Sequence, residues 1–299
     1  MQPVVRRCMP MAFLILGLVA TAAGAAEKLK PFVLASSGAG AVADKLVEVK
    51  GALTGQGFEV AGEYSPYAGA HVVVVTSDEL KAAAAKSDFG GYGAVERVSV
   101  TQAGDQVQVA YTNPAYWAAA YRMKADLSAG VASKLAAALG KGKDFGCEKK
   151  CQSDEDLREY HYKILMPYFD DPDELASYGS FEEATGKVEA GLAAGKGGTS
   201  KVYRVDIPGK QEAVFGVAMK EGYSSGEKIM GLIDGTADKH TAHLPYELLV
   251  SGGKVYALNG KFRIAISFPD LSMMGKGSFM EIMDSPGAIT KALKAAAGG

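Results

Sequence analysis

The chain has 299 residues, 48% hydrophobic and 22% charged, which is enough apolar material for a sizeable core and rules out wholesale disorder. Its 32 basic residues against 34 acidic ones give a formal charge of −2, with no basic tract, which argues against a general grip on nucleic acid. Three cysteines are too few for a disulfide-built scaffold.

Residues 1–25 read as a cleaved secretory signal. Arg6 and Arg7 start it, an apolar run follows over 12–20, and Ala23-Gly24-Ala25 places cleavage near Ala25. The run is too short for a retained span, and no later stretch is long and apolar enough to cross a membrane. The expected location is periplasmic or secreted, with the remaining cysteines, Cys147 and Cys151, in an oxidising compartment.

Two stretches of the chain then read alike. In the first, over 26–140, a strand at 31–34 precedes a helix with Val42, Leu46, Val49 and Leu53 on one face. A strand at 58–60 and the β-branched run 71–75 come next, followed by a helix over 78–85 capped by Ser77 or Asp78. Val98 and Val100, then Val107 and Val109, alternate about a Gly104-Asp105 turn and predict a hairpin. An aromatic, alanine-rich stretch follows Asn113-Pro114, and a last helix is expected near 129–139. Residues 141–156, dense in Gly, Lys, Asp and Glu, read as a linker carrying a C-x-x-x-C pair.

The second stretch, over 157–299, repeats the order. It has a strand at 160–166, a helix at 181–192, strands at 202–207 and 213–219, and a short helix at 227–233. A hairpin turns at Gly252-Gly253, an apolar alternation over 262–268 predicts a further strand, and 286–296 is the closing helix. Asp126, Val131 and Leu135 align with Asp284, Ile289 and Leu293. The fold class is α+β: two similar antiparallel-sheet-plus-helix domains in tandem, each with its helices on one face.

Local motifs carry a resemblance. Gly55–Val60, the run 71–75, Asp78-Glu79-Leu80 and the hairpin ending in Asn113-Pro114 resemble the Domain of Unknown Function 302 family. Ser180-Phe181-Glu182-Glu183-Ala184, the run 243–250 and Gly253-Lys254-Val255 look like a longer, divergent second copy. The resemblance implies a β-α-β(4)-α-like fold and no general activity. Where the family pattern has Leu-Pro-Cys, this chain has Leu244-Pro245-Tyr246 and Tyr92-Gly93-Ala94, so a thiol role there is absent.

Five groups of residues could carry chemistry. Cys147 and Cys151, four apart, form either a local disulfide or, with His161 and methionine thioethers, a copper or zinc site. His240 and His243 share a face on a tight turn but lack the H-E-x-x-H glutamate; one is expected exposed and the other buried at the hairpin strand. Met273, Met274, Met280 and Met283 read as core filler, as do Met219 and Met230. Asp170-Asp171-Pro172-Asp173-Glu174 reads as a turn that caps a helix. Tyr92, Tyr111, Tyr116, Trp117 and Tyr121, with Tyr246, Tyr256 and Phe262, either line a pocket or fill the core.

These readings point to an exported binding or accessory protein with a pocket near the second hairpin or between the copies. Tyr246 and Tyr256 would give contact surface, His240 and His243 polar or metal contacts with Glu247 beside them, and Arg263 charge for an anionic ligand. No cofactor is required; copper is the candidate metal of the alternative reading. A second alternative is an enzyme using His240, His243 and Glu247, although no nucleophile has an identifiable base. The partners allowed are a small molecule, a periplasmic protein or a second copy in a homodimer.

Overall fold

The computed structural model describes residues 27–124, 127, 129–162 and 166–299. The signal reading of 1–25 and the position of Asp126 lie outside the described residues. After a two-residue strand β1 (Lys28–Leu29), the first half runs β2 (Phe32–Gly38), α1 (Val42–Gly55), β3 (Glu59–Tyr64), β4 (Ala70–Thr76) and α2 (Asp78–Lys86). It continues with β5 (Glu96–Ala103), β6 (Gln106–Thr112), α3 (Pro114–Ala120) and α4 (Gly130–Leu139). The connection holds β7 (Lys143–Phe145), β8 (Gln152–Ser153) and α5 (Asp154–Arg158). The second half runs β9 (Asp173–Ser177), α6 (Phe181–Ala193), β10 (Thr199–Asp206), β11 (Glu212–Met219), α7 (Gly226–Ile233), β12 (Tyr246–Ser251), β13 (Lys254–Ala257), α8 (Gly260–Ser267) and α9 (Ser285–Ala297).

Each half builds an antiparallel sheet with the same strand order. The first is β3-β4-β5-β6-β2, and the second is β10-β11-β12-β13-β9. The hairpins turn on Gly104 and Gly252, with φ of 62° and 55°, a region that glycine enters without steric cost. Counting back from these glycines pairs Ala94 with Ala242, both fully buried in the 3₁₀ turns that precede the hairpins. After each hairpin an asparagine, Asn113 or Asn259, caps a short helix by accepting from the backbone N–H two residues on. Val131 and Leu135 of α4 are buried, as are Ile289 and Leu293 of α9. Each such side chain contributes about 1.5–3 kcal/mol by leaving water.

The register sets two faces on every strand. Val98 and Val100 of β5 point toward α1, whereas Arg97, Ser99 and Thr101 point inward to the second half. In the second half, Phe215 and Val217 of β11 pack in one cluster with Val188 and Leu192 of α6, while Val214 and Leu249 join the first half's core. The sheets therefore face each other, with α1 and α4 outside the first and α6 and α9 outside the second. Each half also lends its 3₁₀ turn to the other. Gly91 N donates to Glu212 Oε1 (2.8 Å), and the hydroxyls of Thr241 and Thr101 are 2.9 Å apart.

Four expectations are corrected. The segment 262–268 is helix α8, not a strand. Phe262, Arg263, Ile264, Ile266 and Ser267 are all buried, and a helix enclosed on nearly every side shows no polar stripe to reveal its period. The opening strand of the second half is β9, not 160–166; Tyr160, His161, Tyr162 and Met166 carry no strand, and 163–165 lie outside the described residues. β9 escapes a hydrophobicity reading because it is an edge strand with only Leu175 buried. The acidic cluster caps no helix: Asp173 and Glu174 begin β9, and Glu174 pairs with Lys254 at 2.8 Å. Finally, Met273, Met274, Met280 and Met283 are exposed, while Met219 and Met230 are buried as expected. The connection over 141–156 is ordered structure: β7 joins β2 as a sixth strand of the first sheet, and Ser153 and Asp156 form a capping box on α5.

Candidate functional site

The turn after α7 is tied to itself before it meets anything else. The Asp234 carboxylate accepts from the backbone N–H of His240 (3.0 Å) and sits 3.0 Å from its Nδ1. Lys239 Nζ donates to the carbonyls of Asp234 and Thr236 at 3.2 and 2.8 Å. Gln108, from the first half, clamps the turn by donating to Ala237 O and accepting from Lys239 N, each at 3.0 Å. The His240 ring is boxed by Phe268, stacked at 4.8 Å, and by Phe32 and Phe145, edge-on at 5.3 and 5.4 Å. A carboxylate at Nδ1 selects the tautomer with its proton there, which leaves Nε2 as an acceptor.

His240 lines a cleft of about 390 Å³ at the junction of the two halves. Phe145, Ile233, Phe268 and Leu271 make its apolar walls. Its charged lining residues are Glu148, Asp238 and Asp270, the first two ion-paired with Lys30 (2.6 Å) and Lys143 (2.8 Å). Cys147 is part of one wall, and the loop that its disulfide with Cys151 encloses is gripped from the second half. Asp270 accepts from the backbone N–H groups of Glu148, Lys149 and Lys150 at 2.6, 3.1 and 2.8 Å. Burial pushes the Asp270 carboxyl up, but these three N–H groups and the Lys150 charge outweigh it and hold it below its ordinary range. Across Phe268 and Leu271 lies an apolar pocket of about 230 Å³, with Lys261 as its charged group.

Behind the inner wall, Phe268 also touches the His243 ring, edge-on at 5.3 Å. Here the polarity reverses. Arg263 donates to His243 Nδ1 (3.1 Å), to the His243 carbonyl (2.6 Å) and to Ser267 Oγ (2.8 Å). Since a guanidinium only donates, His243 Nδ1 is the acceptor and Nε2–H faces the Tyr246 hydroxyl at 3.0 Å. Burial first, then the charges of Arg263 and Arg97, hold His243 well below its usual range, so it stays neutral. Glu247 bridges the halves, accepting from Arg97 at 2.5 Å and from Arg263 at 3.3 Å. Both guanidinium groups lie over the Trp117 ring, 4.6 and 4.8 Å from its centre.

The six residues expected to bind ligand thus divide. His240 alone among them lines the cleft. His243, Tyr246, Glu247 and Arg263 join in the buried network, and Tyr256 stands apart, edge-on to Phe89 at 5.3 Å. Both histidines are buried, whereas one was expected exposed. For the enzyme alternative, His240 does not share an opening with Glu247, whose two oxygens are held by the arginines. Cys147 and Cys151 are joined to each other, and His161 packs on Tyr168 at 4.6 Å. Among the described residues, no group of three or more His, Cys, Asp and Glu side chains is placed to hold a metal ion. Sequence reasoning missed Asp234, Phe268 and Arg97. The signal for Asp234 was an acid six residues before His240 in a glycine-containing turn, a spacing that periodicity does not highlight.

Comparison of the chain with family profiles, curated proteins and solved structures finds no match. No helix among the described residues is long and apolar enough to cross a membrane.

Proposed function

We propose that this chain is an exported small-molecule-binding protein that takes its ligand in the junction cleft. The observation that supports this reading most is the Asp234–His240 pair. It presents an oriented imidazole to a cleft with aromatic walls and acidic groups, the usual make-up of a specific pocket. Such a lining favours a ligand with a flat apolar body and a protonated amine or other N–H donor. The signal-like residues 1–25 and the disulfide belong to the same reading, since disulfides persist in exported compartments. The Domain of Unknown Function 302 resemblance fits it and contributes no activity of its own. Binding is preferred to catalysis because the cleft hydroxyl that reaches the His240 ring, Thr236 Oγ1 at 3.3 Å, meets the Nδ1 already turned to Asp234 and gives its own proton to the Asp238 carbonyl.

The test is calorimetric titration with phenethylamine and with phenylacetate, which share a body and differ in charge. The amine should bind, the acid should not, and His240→Ala should weaken the amine at least tenfold. Equal binding of both probes, or none, would discard the proposal. Stoichiometric copper on the purified protein, lost in Cys147→Ser, would put the copper reading in its place.

A further inference from the structure

We infer that the polar centre between the sheets is a second binding site, distinct from the cleft, and that it holds one small monovalent anion. Arg97 and the phenols of Tyr121 and Tyr203 would carry it, with Tyr92 beside them.

The first argument is a surplus of donors. Arg97, Tyr92, Tyr121 and Tyr203 are each at most 2% exposed. Yet Arg97 Nε and the three phenolic hydroxyls complete no hydrogen bond of good geometry. Buried polar groups rarely go unpartnered, and four together point to a shared acceptor. They belong to one neighbourhood. The Tyr121 hydroxyl and the Arg97 guanidinium are close enough for a loose hydrogen bond, Arg263 acts on the same hydroxyl, and the Tyr203 hydroxyl is within electrostatic reach of Arg97, Tyr121 and Glu247. The Tyr92 and Tyr121 rings are 6.2 Å apart. Tyr203 crosses Gly216, where a Cβ would lie only 2.0 Å from its ring, and Gly216 is the register partner of Glu247.

The second argument is charge. Two guanidinium groups face one fully engaged carboxylate, Glu247. Arg263 is satisfied by His243, Ser267 and Glu247; Arg97 is not. Two other carboxyls flank the centre. Burial pushes Glu96 up to about 7 against the hydrogen bond from Thr112 and the charge of Arg97. Burial likewise raises Glu212, against the Gly91 N–H and Lys210. Near neutral pH Glu96 therefore supplies less than a full counter-charge, and His243 is neutral. An anion accepts hydrogen bonds from every side, so one halide or carboxylate meets both demands.

Crystals grown with bromide as the only halide, together with native mass spectrometry of undenatured protein, test this. A halide site gives an anomalous peak within hydrogen-bond reach of Arg97 Nε and Tyr121 Oη. A carboxylate site gives planar density there and a matching bound mass. In either case Tyr121→Phe and Tyr203→Phe should each weaken anion binding at least fivefold, read from the shift of the unfolding midpoint with bromide or formate. Either variant suffices if the other does not fold. Density that refines as water, no bound mass, and midpoints that respond to bromide as they do to sulfate would overturn the inference.

Discussion

The two halves share a backbone plan and differ where they meet. Counted from the hairpin glycines, Ser99 in the first half occupies the place of Glu247 in the second. Counted from the capping asparagines, Trp117 occupies the place of Arg263. One equivalent pair thus carries complementary chemistry, the Trp117 ring beneath the Arg263 guanidinium, while Glu247 faces Arg97 across the gap rather than its own counterpart Ser99. Neither half can satisfy its inner residues alone. The outer faces, by contrast, are alike, with aliphatic side chains under two helices in both halves.

If that asymmetry holds the halves together, matched substitutions should give very different results. Glu247→Ala leaves two buried guanidinium groups facing each other and should cost about 3–5 kcal/mol in urea unfolding. Ser99→Ala, at the same place in the other sheet, removes one hydrogen bond to Ala110 O and should cost about 1 kcal/mol. Similar losses at the two positions would mean that the inner layer acts as ordinary core.

The same contrast explains what could be read in advance. The outer faces announce themselves: Val72–Val75 is a β-branched run buried on both sides, the hairpin alternates valine with polar residues, and the Leu135/Leu293 spacing is that of helices with one side nearer water. The inner layer breaks that rule. In α8, Phe262, Arg263 and Ile266 are buried on different sides, so the period disappears and an arginine sits where patterning expects an apolar residue. β9 fails in the opposite way, as an edge strand whose polar side chains resemble a loop. At the cleft, His240 stood out as a residue type. Its partners Asp234, Phe145 and Phe268 come from three separate stretches that only the fold brings together.

Titration sharpens the comparison, because each half has an ionisable group where the other is apolar. Glu96 corresponds to Leu244, and His243 to Val95. Glu96 holds its proton more tightly when folded, so its stabilisation is complete below 4.5 and is lost as pH rises through about 7. His243 does the reverse: its folded pKa lies below 6.5, so stability is lost as pH falls below that value. Over the shared window the two slopes oppose each other. Glu96→Gln should remove the alkaline-side loss, changing the stability difference between pH 5 and 8 by roughly 2–3 kcal/mol. What remains should rise with pH, and a profile unchanged by the substitution would remove Glu96 from this role. Urea midpoints across that range provide the measurement.

The smallest effect separates the two halves most finely. Asn113 and Asn259 cap equivalent helices with Oδ1, and each turns its Nδ2 back toward the opening strand of its own half. Asn113 donates to the Lys30 carbonyl at 2.9 Å, whereas Asn259 donates to the Asp173 carboxylate at 3.2 Å. Aspartate at either position keeps the capping acceptor and loses the donor. Asn113→Asp should therefore cost about 1 kcal/mol, the worth of one hydrogen bond. Asn259→Asp also sets a carboxylate against Asp173, a like-charge contact that should add roughly 1 kcal/mol. Changing Asp173 to Asn in the Asn259→Asp background should recover that excess, because the reversed pair again has a donor facing a carboxylate. Recovery in the double variant would show that the two caps, identical in backbone terms, anchor their strands by different chemistry. Equal losses at Asn113 and Asn259, with no recovery, would show that the capping bond alone matters in both halves.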